Sequence, residues 1–214
     1  FSPDGRTLAT GGYDQKIKLW DWSQKKELRT LDGHNGPVFD LSFRPDSKVL
    51  ASASGDRTVK LWDVPTGARL DTLKEPLQEL YTVAFAPDGK RVAAGGVDNR
   101  IRVWAVSDSA KEGTNPLLIS QFAHESPLLR IAFSADGKTL LSTSEDRLVK
   151  VWNGTTLAPR ATLPAQTDWP VGLALHPREP RAIVGRIDGT LVTLDYPLTS
   201  ATEVQPLVPL SETP

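Results

Sequence analysis

The 214-residue chain contains no cysteine and no methionine. Without cysteine there is no disulfide, no thiolate metal ligand and no thiol nucleophile. That absence leaves the compartment open, because cysteine-free domains occur in oxidising and reducing settings alike. Net charge is nearly absent as well: 25 basic against 26 acidic residues leave −1, so there is no electrostatic footprint for nucleic acid or an anionic membrane surface. No apolar run approaches the ~20 residues that span a bilayer, and no membrane insertion is expected. A sustained 3.6-residue period is also missing, so helices are not expected. What remains is the balance of a soluble globular protein, 39% hydrophobic and 24% charged. With no methionine even at position 1, the chain opens on Phe1-Ser-Pro-Asp-Gly, which reads as the end of a strand and its turn. A piece of a longer protein is therefore expected, one in which no signal peptide would be visible.

What is present is a repeat. "YDQKIKLWD", "GDRTVKLWD", "VDNRIRVWA" and "EDRLVKVWN" align on Trp20, Trp62, Trp104 and Trp152, at spacings of 42, 42 and 48. A further step of 42 reaches Leu194 in "IDGTLVTLD", the same pattern with the aromatic lost. An upstream turn recurs with it, as "FSPDG" at Phe1, "FRPDS" at Phe43, "FAPDG" at Phe85, "FSADG" at Phe133 and "LHPRE" at Leu175. In the second unit the pattern predicts strands over "PVFDLSF", "KVLASAS", "TVKLWDV" and "RLDTL", rich in residues that suit a half-buried pleated surface and separated by Pro-Asp, Gly-Asp and Thr-Gly turns. A four-stranded antiparallel sheet of this size cannot bury both its faces. Stacking such sheets radially about an axis can, so the expected fold is all-β, a β-propeller of four-stranded blades. About five units are present, ending near Asp21, Asp63, Ala105, Asn153 and Asp195. The propeller is expected to span 1–207, with "ATEVQPLV" as an outer strand and 208–214 as a Pro-rich tail. The innermost strand of the first blade is almost entirely absent. The longer spacing comes from "SDSAKEGTNP" at 107–116, read as a solvated loop.

These residues resemble the WD40 repeat family over essentially the whole chain. The family pattern is Gly-His, then Ser or Thr, then Asp, then Trp-Asp. Gly33-His34, Ser52, Asp56 and Trp62-Asp63 match it throughout. His124, Ser142, Asp146 and Trp152 match at the same offsets, with Ala123 in place of the glycine. The first unit keeps Thr10, Asp14 and Trp20, and the third keeps Asp98 and Trp104 but has Pro76 and Ala94 elsewhere. The fifth keeps only Asp188, with Gln166, Val184 and Leu194 in the other places. The resemblance implies a hydrogen-bonded tetrad in each complete blade, and a ring larger than five units, usually seven. Ser, His and Asp are also the ingredients of a hydrolase triad. Two complete copies and several decayed ones favour the structural use, since a hydrolase needs one nucleophile. No catalytic residue, metal site or cofactor is expected. Asp40 and Arg130 read as surface or inter-blade charges, and His176 lies in a turn.

The resemblance further implies a protein-interaction scaffold, with protein partners that include other domains of the same chain. The family mostly uses the face at the third and fifth residues after each His position and at the residue before each tetrad Asp. Here that face selects Tyr13, Phe39, Glu79, Tyr81, Leu129, Glu145 and Trp169, with Pro37, Pro127 and Val171 at equivalent places. Aromatic residues are over-represented in binding hot spots, although Phe39 and Tyr81 read equally as strand residues packed near the axis. More narrowly, "GGYDQKIKLWDW", the run from Glu75 and "EGTNPLLISQFAHE" resemble bacterial proteins that fuse WD40 repeats to an exported c-type cytochrome domain. That likeness implies an envelope location. With no Cys-x-x-Cys-His here, the haem domain would lie outside this chain.

Overall fold

The structure, a computed structural model, describes residues 1–75 and 78–198. These form eighteen antiparallel strands in five sheets, and among the described residues there is no helix. The first sheet is three-stranded, β1 (Thr7–Gly11), β2 (Ile17–Asp21) and β3 (Lys26–Leu31), and lacks an inner strand. The second is β4 (Val38–Phe43), β5 (Val49–Ser54), β6 (Val59–Asp63) and β7 (Arg69–Leu73). The third is β8 (Leu80–Phe85), β9 (Arg91–Gly96), β10 (Arg100–Ala105) and β11 (Leu117–Phe122). The fourth is β12 (Leu128–Phe133), β13 (Thr139–Ser144), β14 (Val149–Asn153) and β15 (Pro159–Thr162). The fifth is β16 (Pro170–Leu175), β17 (Arg181–Arg186) and β18 (Leu191–Asp195). Its expected outer strand, "ATEVQPLV", and the expected tail at 208–214 lie outside the described residues.

Within each sheet the strands are hairpin neighbours in chain order, and the innermost strands pack side by side, β4 on β8, β8 on β12 and β12 on β16. Alternation along each strand gives a blade two apolar faces, so the core falls between blades. Ile17, Leu19 and Leu31 of the first blade pack against Leu50 and Trp62 of the second. Val59 and Leu61 of the second meet Val92 and Trp104 of the third, and Ile101 and Val103 of the third meet Leu140 and Trp152 of the fourth. Trp62, Trp104 and Trp152 therefore each face the preceding blade. Burying one removes ~200 Å² from water, a gross gain of roughly 5 kcal/mol.

The five sheets form an open arc. The fifth blade covers its near face with Ala182 and Val184 against Leu141, Val149 and Val151. Its far face leaves Ile183 49% and Leu191 74% exposed. At the other end, Trp20 has no preceding blade to meet and is only half-buried.

The 107–116 insertion is mostly exposed, as the sequence suggests, and it is also anchored to the second blade. Val106 and Ala110 are buried in the core between the second and third blades. Asn115 donates from Nδ2 to the buried carboxylate of Asp71 at 2.6 Å, and Arg44 donates to the carbonyl of Asp108 at 3.2 Å. The loop is polar because it must satisfy these groups of the second blade as well as its own turns.

Candidate functional site

The His-Ser-Asp constellations are internal to blades. In the second blade Trp62 Nε1 donates to Ser52 Oγ at 2.9 Å, Ser52 Oγ lies 2.6 Å from His34 Nε2, and His34 Nδ1 lies 2.7 Å from Asp56 Oδ2. The fourth blade repeats this through Trp152, Ser142, His124 and Asp146 at 2.8, 2.8 and 2.9 Å. A carboxylate only accepts, so each Nδ1 carries the hydrogen, and the serine that accepts the indole N–H gives its own to Nε2. Burial pushes the His124 imidazole below its ordinary pKa against the pull of Asp146. Burial opposes ionisation of Asp56, yet bonds from His34, Thr58 and the Asn35 amide hold its carboxyl well below the usual carboxylate range. Ser52 and Ser142 have no exposed surface at all, so neither can meet a substrate.

The incomplete blades use other partners. Trp20 Nε1 donates to Thr10 at 3.1 Å, while Asp14 is exposed and accepts only from the Lys16 amide. In the third blade the Asp98 carboxylate, without a histidine, pairs with the buried Arg102 guanidinium at 2.6 Å. In the fifth, buried Gln166 accepts from Arg186 at 2.8 Å. Sequence reasoning missed both substitutions. The only signal was a basic residue four positions after Asp98, where Lys60 and Lys150 stand in the complete blades.

A cleft of about 530 Å³ opens at one end of the inner strands, lined by Tyr13, Pro37, Phe39, Glu79, Tyr81, Leu129, Arg130 and Val171. Its floor has one origin. The pairing of each inner strand with its neighbour skips one residue: between Val38 and Asp40, Leu80 and Thr82, Leu128 and Arg130, and Pro170 and Gly172. The skipped residues are Phe39, Tyr81, Leu129 and Val171. A β-bulge leaves its extra residue out of the ladder and re-aims the side chain, and here four bulges at one position aim four side chains at one cleft.

Bonds between blades set the spacing of these strands. Thr82 Oγ1 donates to Asp40 Oδ2 at 3.0 Å and accepts the Ile131 amide at 3.1 Å, tying three blades together. Asp40 also accepts the Val83 amide at 3.0 Å and faces Arg130 at 3.6 Å, and Arg130 Nε donates to the Val171 carbonyl at 3.0 Å. Burial raises the Asp40 pKa, with those donors and Arg130 pulling against it. Asp40 and Arg130, read from the sequence as surface or inter-blade charges, form an inter-blade pair.

Phe39 is the hinge of the aromatic group. Tyr13 meets it edge-on at 5.9 Å and 87°, and Tyr81 at 5.2 Å and 85°. Tyr13 is 82% exposed. The Tyr81 hydroxyl pKa is raised, first by burial and then by the carboxylates of Glu79 and Glu145 and by Tyr13. Of the residues selected from the sequence, Tyr13, Phe39, Glu79, Tyr81 and Leu129 come together in the cleft, and Glu145 acts on it through its charge. Trp169 does not line it: the side chain is 41% exposed, and Val171 supplies the fifth blade's contribution. Among the described residues no group of three or more histidine and acidic side chains is gathered for a metal ion, and no helix is long and apolar enough to cross a membrane.

Radial antiparallel sheets joined through inner strands, with Trp-to-Ser-to-His-to-Asp chains inside them, define the blades of a β-propeller. The chain belongs to the WD domain, G-beta repeat family, whose profile matches residues 1–21, 25–63, 67–105 and 116–153. The fifth sheet lies beyond those matches. Relatives share one repeat with it. General transcriptional corepressor TUP1 of Saccharomyces cerevisiae is 42% identical over 43 residues, 20% of this chain and 6% of that protein. Pre-mRNA-processing factor 19 of Homo sapiens is 37% identical over 43 residues, 20% of this chain and 8% of its own length. Dynein assembly factor with WD repeat domains 1 of Danio rerio is 40% identical over 43 residues, 20% and 10% of the two chains. The matched stretch is thus at most a tenth of the length of these relatives.

Proposed function

We propose that this chain is a non-catalytic protein-docking platform, with the cleft at the inner strands as its docking site. The observation that supports it most directly is the convergence of four bulge residues and Tyr13 on one concave surface while the fold's polar machinery stays buried. Aromatic side chains held rigidly by neighbouring blades are the anchors that binding surfaces favour. The relatives named above, a corepressor, a pre-mRNA-processing factor and an assembly factor, fit a role in assembling other proteins. Among the described residues, the half-buried Trp20 and the exposed Ile183 and Leu191 favour an arc that serves within a larger ring. None of those relatives is, by its name, a cytochrome fusion, and that narrower likeness carries no part of the reading.

A photo-crosslinking side chain in place of Tyr81, compared with one in place of Asp88 in the β8–β9 turn at the other end of β8, tests the proposal in cells that express the protein. Adducts are expected from position 81 and not from 88, and they should disappear when Tyr13 and Phe39 are also replaced by alanine. Adducts from 88 alone, or adducts indifferent to Tyr13 and Phe39, would place docking elsewhere.

A further inference from the structure

We infer that the cleft takes the cationic head of a lysine or arginine side chain presented by a peptide; this rests on the docking reading above and names the chemistry of its partner. The cleft holds one cation, Arg130, which is already engaged by Asp40 at 3.6 Å and by the Val171 carbonyl at 3.0 Å. Glu79 and Glu145 are different. Among the described residues neither forms an ion pair. The positive charge of Arg130 is answered within the protein, and two carboxylates beside Tyr81 are left over.

The aromatic group points the same way. Rings at 87° and 85° to Phe39 make a corner with walls in two directions. The face of an aromatic ring is the negative pole of its quadrupole and attracts ammonium and guanidinium groups. A lysine or arginine also brings an aliphatic stem that can lie along Phe39 and Leu129 while its head reaches the carboxylates. Other occupants meet one half of the site and oppose the other. A purely apolar anchor would cover Glu79 without pairing it, which is costly for a charge. A nucleic acid could stack bases on the rings, but it would carry its phosphates up to the same two carboxylates. The cleft, about 530 Å³, has room for one such side chain and the backbone on either side of it.

The probes are four acetylated and amidated tripeptides, Gly-Lys-Gly, Gly-Arg-Gly, Gly-Leu-Gly and Gly-Glu-Gly, titrated into the isotopically labelled protein and followed by its backbone amide resonances. The lysine or the arginine peptide, or both, should shift Tyr13, Phe39 and Tyr81 and bind about tenfold more tightly than the leucine peptide, with affinity falling as salt rises. The double variant Glu79→Gln, Glu145→Gln, checked for unchanged urea unfolding, should lose about tenfold in that affinity. Equal or tighter binding of the leucine or glutamate peptide, unchanged affinity in the double variant, or no shift with any probe would overturn the inference. The two readings fail separately. Adducts from position 81 that persist in the double variant would leave the docking site standing and remove the cation. Cationic peptides that bind where position 81 captures no partner would do the reverse.

Discussion

Asp56→Ala separates a structural tetrad from a catalytic triad, and its size follows from the geometry. The Asp56 carboxylate accepts from His34 Nδ1 at 2.7 Å, from the Asn35 amide at 3.0 Å, and from the amide and hydroxyl of Thr58 at 3.0 and 2.6 Å. The His34 side chain is 0% and that of Asp56 6% exposed. Alanine thus strands an imidazole N–H where water cannot replace its partner, and it loosens two backbone donors at the head of a hairpin. A hydrogen bond to a charged group is worth about 1.5–3 kcal/mol and the stranded imidazole N–H adds its own desolvation cost, while water can reach the Asn35 and Thr58 amides, so about 3 kcal/mol is expected. In a domain of this size that lowers Tm by about 6–12 °C. Asp14→Ala is the control: its residue occupies the same repeat position, is exposed and accepts only the Lys16 amide, so it should cost less than about 1 kcal/mol. Thermal and urea unfolding of both variants provide the comparison. Equal losses, or a loss below about 1 kcal/mol for Asp56→Ala, would refute the assignment of the tetrad as a buried brace. Intact stability with loss of an esterase activity would restore the triad.

Three further outcomes are expected. Because burial keeps the folded-state pKa of His124 below its ordinary value, the unfolded chain binds more protons there, and stability should fall as pH drops below about 6.5. The depressed carboxyls of Asp56 and Asp146 add a second loss below about pH 4. Urea midpoints against pH would show both limbs, with His124→Gln flattening the first; a midpoint constant between pH 7 and 5 in the parent protein would contradict this. Thr82→Val keeps the shape but removes the hydroxyl that ties Asp40 to the Ile131 amide, and should cost about 2 kcal/mol, with Thr82→Ser largely restoring it in chemical denaturation. Gly96→Ala would drive a methyl into the Glu79 carbonyl oxygen, a backbone contact that must give way, so the start of β8 should move and amide resonances of Glu79 and Tyr81 should shift far more than those of β14.

The blades were largely legible because tryptophan spacing, turn residues and strand alternation agree in the first four units. Strands β4 to β7 fall inside "PVFDLSF", "KVLASAS", "TVKLWDV" and "RLDTL", since the turn residues between them leave little freedom. The anchoring of the 107–116 insertion was not legible, because its anchors, Arg44 and Asp71, belong to the preceding blade and only the stacking of two sheets brings them into reach. The same holds for Arg102, whose charge is explained by a carboxylate across a turn. Composition shows polarity and leaves its destination open.

The cleft lies between these cases. A fixed offset from the histidine position finds Phe39, Tyr81, Leu129 and Val171, but alternation within a strand cannot mark which residue the ladder will skip, and so cannot separate a core phenylalanine from one turned outward. Trp169 shows the limit of the offset: it shares a repeat position with Pro37 and Glu79, which line the cleft, yet its own side chain does not. Pairing separates stability from recognition. The residues that hold each blade, Trp62, Ser52, His34 and Asp56, lie on the face turned to the preceding blade, whereas the bulge residues have no partner in the register and line the cleft. Replacing Tyr81 by alanine should therefore abolish capture at the cleft while costing about 2 kcal/mol, from its edge-to-face contact with Phe39 and the buried part of its ring, and less than Asp56→Ala. A loss of stability comparable to that of Asp56→Ala would mean instead that the aromatic group is core, and that the cleft is a by-product of packing at the inner strands.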